Sequence, residues 1–522
     1  MRYVSAHEAE QLIASADPLA VLDIREHGLY GEGHLLFASN CPYSVLELKI
    51  SALVPDIKAT LIIYDDADGV AEQAAQALEH VGYKDVLIIE GGIEAWRSAG
   101  FAVFKGVNVP SKVLGELIEH AMEVKSVTPD ELARMQASGQ ALLLIDGRPT
   151  GEFEKMTIPG ARSLPNGELL YRWDALDLDP AVPVVVHCAG RTRGLIGAQS
   201  LINAGIPNPV VALQNGTQGW ALSGRHLTRG NRSDGLPAMT SSKVDQGGER
   251  FERLVTQHGI QTLEASDFTA WRHVNANAYM FDVRSKTEFE AANVPGSLHA
   301  PTVQLVQATD EYVAQRRSPI LLIDDNGVRA ASAAVWLKQL GHKPIVMRRA
   351  EALMIQPDAL RSPRSRLRPV SPSDVALCSD TNLILDLRKS MAFREGHVPG
   401  SIWATRARLA SVVPLACRTV TFVADDPRVA DLCASDLETA SNVDCFILDG
   451  GFQAWCAQGG EVEQTPDRPA DAEAIDFLFF VHDRHNGNLE ASRRYLEWET
   501  GLVAQMSSSE RGQFHIEEKR HG

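Results

Sequence analysis

The sequence predicts an α/β chain of four tandem units, each a mostly parallel sheet flanked by helices, followed by a helical C-terminal extension. Three observations predict it. An apolar strand ending in Asp-x-Arg occurs four times, at Asp23-Ile24-Arg25, Asp146-Gly147-Arg148, Asp282-Val283-Arg284 and Asp386-Leu387-Arg388. A second apolar strand then ends at a near-constant distance: 42 residues separate Asp23 from Asp65, Asp146 from Cys188 and Asp282 from Asp324, and 39 separate Asp386 from Asp425. A third strand runs into a glycine turn and a Trp at Trp96, Trp220 and Trp455, a closure the third unit lacks. Strands alternating with helical stretches at a fixed period are the mark of a repeated α/β unit with a parallel sheet.

Length and composition agree. A chain of 522 residues is too long for one hydrophobic core. Its 44% hydrophobic and 22% charged residues are ordinary for a globular protein. The start, Met1 to Glu10, lacks the apolar core of a secretory signal. No run approaches the roughly 18 apolar residues of a membrane span, so a cytoplasmic protein with no membrane partner is expected. A net charge of −17 argues against nucleic acid as a partner. Seven cysteines make an odd count for a disulfide framework, and none forms a C-x-x-C pair. Five of them, Cys378, Cys417, Cys433, Cys445 and Cys456, read as reduced structural thiols.

Taken in order, residues 1–105 form the first unit, with Asp65 after its second strand. Residues 106–125 read as a connecting helix, apolar at Val113, Leu114, Leu117, Ile118, Ala121 and Met122. Residues 126–228 form the second unit, with Cys188. Residues 229–255 are expected to be a linker, exposed over 229–248 where Gly, Ser and Asp are frequent, with Phe251, Leu254 and Val255 echoing the apolar face of the first connector. Residues 256–360 form the third unit, with Asp324. A basic, Pro-punctuated link from Arg361 to Pro369 leads into the fourth unit, 366–462, with Asp425. Residues 466–522 are an extension in which Leu489 to Met506 reads as an amphipathic helix, Trp498 packs on the repeats, and the last residues fray. The His482-Asp483-Arg484-His485 cluster reads as a polar turn.

The chemistry concentrates at Cys188. The run Val184-Val185-Val186-His187 is a buried strand, Cys188 follows it, and a loop with two Gly and two Arg leads into a helix expected from Leu195 to Ala204. A loop between a strand end and a helix start presents free backbone N–H groups and the positive end of the helix dipole. A thiol there is pushed toward thiolate, and an Arg nearby pushes the same way. The loop therefore couples a nucleophilic sulfur to an anion cradle.

This arrangement resembles the active-site loop of the rhodaneses, sulfurtransferases that carry a persulfide on Cys. The loop is Cys188, Ala189, Gly190, Arg191, Thr192 and Arg193, closed by Gly194. The repeated Asp-x-Arg, Pro-Gly turn and Gly-Gly-x-x-x-Trp motifs resemble the same domain over residues 1 to about 462. The resemblance implies a catalytic Cys188 and a donor held by Ala189 to Gly194. It also implies supporting roles for Asp146 and Arg148, read first as a fold-stabilising ion pair. A small anionic sulfur donor such as thiosulfate and a cyanide or thiol acceptor are implied; no cofactor or metal is. The two loop Arg predict preference for a dianionic donor. Asn166 and Glu168 are expected at the pocket entrance. Cysteine-dependent phosphatases place Arg six positions after Cys, which here is Gly194, so a phosphatase or arsenate reductase reading is disfavoured.

The other units carry Asp where the second carries Cys, and a carboxylate cannot hold a sulfane sulfur. They read as scaffold, as walls of the working pocket, or as surfaces through which a homodimer could form; a sulfur-storing or sensing scaffold is the alternative to an enzyme. Asp65-Asp66 and Asp324-Asp325 read as helix caps rather than metal pairs. An enzyme further requires Cys188 open to solvent and ringed by amides.

Overall fold

Why the four units share one architecture is visible in the strand that ends in Asp-x-Arg. In the computed structural model, the aspartates Asp23, Asp146, Asp282 and Asp386 are fully buried, and each meets the guanidinium two residues on at 2.6 to 2.7 Å. The same guanidinium donates to a carbonyl eight residues downstream, on Gly33, Met156, Ala292 or Gly396. Each pair thus ties a strand end to the exit of the short helix that follows. A buried charge pair persists only when its remaining hydrogen bonds are satisfied, and the carbonyl completes that set.

The structure describes all residues except 16, 358–362, 376–380, 441–442, 483–487 and 519–522. Cys378, Arg361, Ser362 and three members of the His482 cluster (Asp483, Arg484 and His485) lie outside the described residues. In the second unit the sheet runs in the order Ser126–Val127, Val210–Leu213, Val184–His187, Leu143–Asp146, Arg162–Ser163, all parallel. The third and fourth units repeat that order with parallel pairing, and the first does so before accepting Gln315–Arg316 of the third unit antiparallel on Leu19–Asp23. Register sets Asp146 beside His187. Cys188 therefore leaves the sheet level with the Asp146–Arg148 clamp, at the carboxyl end of the strands where ligands of open α/β sheets sit.

The closing motif has a steric cause. Gly92 and Gly216 adopt φ of +58° and +49°, and a Cβ on either would stand 2.3 Å from the carbonyl oxygen of Asp65 or 2.1 Å from that of Cys188. Only glycine meets both demands. The Trp four residues on donates its indole N–H to a carbonyl six residues downstream, on Ala102, His226 or Glu461. The third unit has Ala350 at the glycine position, and its chain turns there through a 3-10 segment, Ala350–Leu353.

One hydrophobic core runs through the first three units, and the fourth keeps its own. The helix Val109–Ala121 is buried over nearly its whole length and packs on the helix Thr192–Asn203. The stretch expected to be an open linker is instead helical over Ser241–His258, with Phe251 and Leu254 buried against the third unit. Its apolar spacing sits late in the segment, behind the Gly-rich stretch that dominates the composition. In the extension Phe514 is buried near Phe37, and the His515 amide donates to the Gln339 carbonyl; the last four residues, where fraying is expected, lie outside the described residues. Among the described residues no helix is long and apolar enough to cross a membrane.

Candidate active site

The loop that carries Cys188 is held from three sides. The Cys188 and Ala189 carbonyls accept the amides of Thr217 and Gln218 at 2.9 and 3.0 Å, which binds the loop to the glycine turn. The Asn166 side chain donates to the Arg193 carbonyl at 2.8 Å from below. The helix begins at Thr192, three residues earlier than the sequence signals, so Thr192, Arg193 and Gly194 form its first turn, whose amides have no partner within the helix.

The Gly194 amide, six residues after the strand end, lies on the side of the Cys188 thiol and favours its thiolate. The equivalent amide, six residues after the strand-end position, recurs in two other units with a carboxylate as its partner. Ala71 donates to Asp65 at 2.9 Å, and Ala330 to Asp324 at 3.4 Å. The Arg329 amide also donates to Asp324, at 2.8 Å, and its guanidinium stands 2.9 Å from the same carboxylate. Arg329 occupies the place Arg193 holds in the second unit. The aspartates thus cap the helix that follows, with their negative charge in the amide cradle.

Around Cys188 the charges do not fall as the sequence leads one to expect. Arg191 turns to the connecting helix, meeting Glu116 at 2.6 Å and also Glu119. Arg193 forms a two-pronged pair with Glu152 at 2.6 and 3.0 Å. Both guanidiniums already have carboxylate partners, so the basis for a dianionic donor preference is removed. Glu168, expected at the entrance, instead meets Arg329 of the third unit at 2.8 Å and Arg172 at 2.6 Å. His187 is fully buried, its Nδ1 lies 3.3 Å from the Cys188 carbonyl, and burial lowers its pKa, so it stays neutral.

A second correction concerns access. Cys188 is 2% exposed. Burial raises its pKa; Arg193, the Gly194 amide and Arg148 pull it down, while Glu499 pushes it further up. Glu499 belongs to the extension helix Leu489–Thr500, which lies over the loop and the helix Gly216–Leu222. Its carboxylate accepts from the Thr192 hydroxyl at 3.0 Å. Sequence reading missed Glu499 because it stands 311 residues from Cys188, outside any repeat, with nothing local to mark it. Trp498, its neighbour, packs on the Lys112 ammonium and against Gly106, which seats the helix. Among the described residues no group of three or more His, Cys, Asp or Glu is arranged to hold a metal ion.

Comparison with known proteins follows this geometry. The family model for the rhodanese-like domain matches residues 5–99, 128–223, 267–349 and 373–458. A crystal structure of thiosulfate sulfurtransferase from Pseudomonas aeruginosa superposes with a TM-score of 0.90 at 34% identity, covering 99% of this chain and 100% of that one. The SseB protein of Mycobacterium tuberculosis, whose name carries thiosulfate sulfurtransferase as a provisional assignment, is 26% identical over 207 residues, 32% of this chain and 71% of that protein. The tRNA uridine(34) hydroxylase of Hamiltonella defensa is 32% identical over 96 residues, and the match spans only 27% of its length. Four matched segments that together cover most of the sequence, and a likeness that runs the full length of a solved structure at 34% identity, make this chain a member of the rhodanese-like family.

Proposed function

We propose that the chain is a sulfurtransferase that carries sulfane sulfur as a persulfide on Cys188, with Ala189 to Gly194 forming the cradle and Asp146 with Arg148 supporting its floor. The observation that carries the reading is the amide six residues after the strand end. In the first and third units that amide grips a carboxylate oxygen two bonds beyond Cβ. The outer sulfur of a Cys188 persulfide also stands two bonds beyond Cβ and also bears negative charge. The aspartates of the silent units therefore occupy the place a persulfide would take in the working one. The names of the similar proteins favour the same chemistry.

In the first step the Cys188 thiolate attacks the outer sulfur of a donor. With thiosulfate, the donor S–S bond breaks, its electron pair leaves on sulfite, and Cys188 keeps one added sulfur. In the second, an acceptor thiolate attacks that sulfur, the Cys188 S–S bond breaks with its pair returning to Sγ, and the acceptor leaves as a persulfide; cyanide would leave as thiocyanate. Oriented amides and the Arg193 charge stabilise the anionic sulfur in both steps. The reaction requires the extension helix to give way, because Cys188 is covered in this conformation. That cover favours, as a second reading, a sulfur carrier or sensor with slow turnover. Six cysteines without disulfide partners among the described residues fit a reducing, cytoplasmic setting.

The test is intact and peptide mass spectrometry after incubation with thiosulfate, an inorganic polysulfide or the persulfide of a neutral thiol. A gain of one sulfur at Cys188 from at least one of these donors, absent in Cys188→Ser and discharged by cyanide or a thiol, is expected. No added sulfur at Cys188 with any of the three overturns the proposal; loading without sustained turnover selects the carrier reading.

A further inference from the structure

Three guanidiniums stand in and beside the Cys188 loop, and all are committed: Arg148 to Asp146, Arg191 to Glu116 and Glu119, Arg193 to Glu152. Of the charges that act on the thiol itself, Arg193 and Arg148 favour the thiolate and the carboxylate of Glu499 opposes it. That carboxylate is 2% exposed and has one hydroxyl donor, Thr192, on Oε1. Its Oε2 is buried without any hydrogen-bond partner, as are both polar atoms of the Gln218 side chain, itself 7% exposed. Oε2 and the Gln218 amide nitrogen converge beside Gly190, at 2.9 and 3.6 Å from where a Cβ would lie. A side chain there would displace them, and glycine leaves the space open.

We infer that Glu499 sets the charge class of the molecules that react at Cys188: neutral or cationic sulfur compounds, aminothiols and their persulfides among them, are admitted, and dianions are disfavoured. This rests on the reading of Cys188 as the reactive thiol. Physically, a buried carboxylate with an empty acceptor site attracts a hydrogen-bond donor or an ammonium group and repels a second anion. The effect is amplified where water is excluded. The two loop arginines offset it only in part, because Arg191 is shared among Glu116, Glu119 and Glu499 and Arg193 is held by Glu152.

The test uses two thiol reagents of matched shape and opposite charge, 2-aminoethyl methanethiosulfonate and 2-sulfonatoethyl methanethiosulfonate. In each, the Cys188 thiolate forms a disulfide with the divalent sulfur while methanesulfinate leaves with the bonding pair. Rates are read by mass spectrometry on the Cys188 peptide of the full chain, with exposed Cys456 as internal reference. The ratio of cationic to anionic rates at Cys188 is expected to exceed that at Cys456 about tenfold or more, the order expected of one unit charge a few ångströms away. Glu499→Gln should bring the ratio down toward that of Cys456, and Glu499→Asp should retain it. Thermal melting of both variants separates charge loss from unfolding. A wild-type ratio equal to that of Cys456, a ratio unmoved by Glu499→Gln, or no labelling of Cys188 in either protein overturns the inference. Persulfide loading is read separately, so failure of the sulfur-transfer reading would appear there and not in these ratios.

Discussion

Replacing Arg193 by Met tests how the cradle holds charge at Cys188. Burial is the largest influence on this thiol and raises its pKa, and Arg193 is the largest influence opposing it. In the third unit the equivalent guanidinium lies 2.9 Å from the group in the cysteine's place, which indicates the approach available to Arg193. Opposite unit charges about 4 Å apart interact by about 4 kcal/mol at an effective dielectric of 20. Glu152, in two-pronged contact with Arg193, cancels more than half of that. About 1–2 kcal/mol remains, or roughly one pH unit. The expected result is that Arg193→Met raises the midpoint of the pH–rate profile for iodoacetamide at Cys188 by about one unit and slows alkylation at pH 8 about tenfold. Arg193→Lys should leave the midpoint nearly in place, and Glu152→Gln should lower it. The profile is read by mass spectrometry from pH 6 to 11. A midpoint that stays or falls in Arg193→Met refutes the reasoning, since Arg193 would then not be stabilising the thiolate.

Three further outcomes follow from the fold. Arg329, fully buried, pairs with Asp324, Asp325, Glu288 and Glu168; Arg329→Met should destabilise the third unit and its seat on the second by about 3–5 kcal/mol, the usual cost of leaving buried charges unpaired, read by urea denaturation. Gly216→Ala places a methyl 2.1 Å from the Cys188 carbonyl at a φ of +49°; a loss of at least about 1–2 kcal/mol from the left-handed backbone alone is expected, with faster hydrogen exchange across residues 188–194. Asp310, 8% exposed, has its pKa raised by burial and by Glu311 to about 7. Because the folded state binds this proton more tightly than the unfolded chain, its stabilising contribution is full below about pH 4. It then falls by up to about 1.4 kcal/mol per pH unit as pH rises toward 7, and Asp310→Asn should flatten that slope in denaturation experiments between these pH values.

The repeat made much of the fold legible. Asp-x-Arg and the Trp each perform a local task, joining partners two, six or eight residues apart, and the glycine turn recurs at a near-constant distance from the strand end it packs on, so their pattern survives in the linear chain. The same holds for the helix-capping aspartates, whose amide partners Ala71 and Arg329 lie within six residues. Cys188 and its loop were legible because strand, thiol and helix start are contiguous.

What the linear chain concealed were contacts between residues far apart in it, within a unit and between units. Arg191 and Arg193 read as an anion site because their partners, Glu116 and Glu152, lie 75 and 41 residues away. Glu168 was drawn off to Arg329, and the Gly-rich composition before Gly248 concealed a helix that the third unit stabilises by packing on Phe251 and Leu254. The sequence by itself determined which unit bears a cysteine at the strand end and which residues open the helix after it, since backbone geometry near a strand end is local. Only the tertiary structure decided the charge and cover around that cysteine, because electrostatic energy depends on distance through space, and one of the carboxylates at the loop, Glu499, arrives from the far end of the chain.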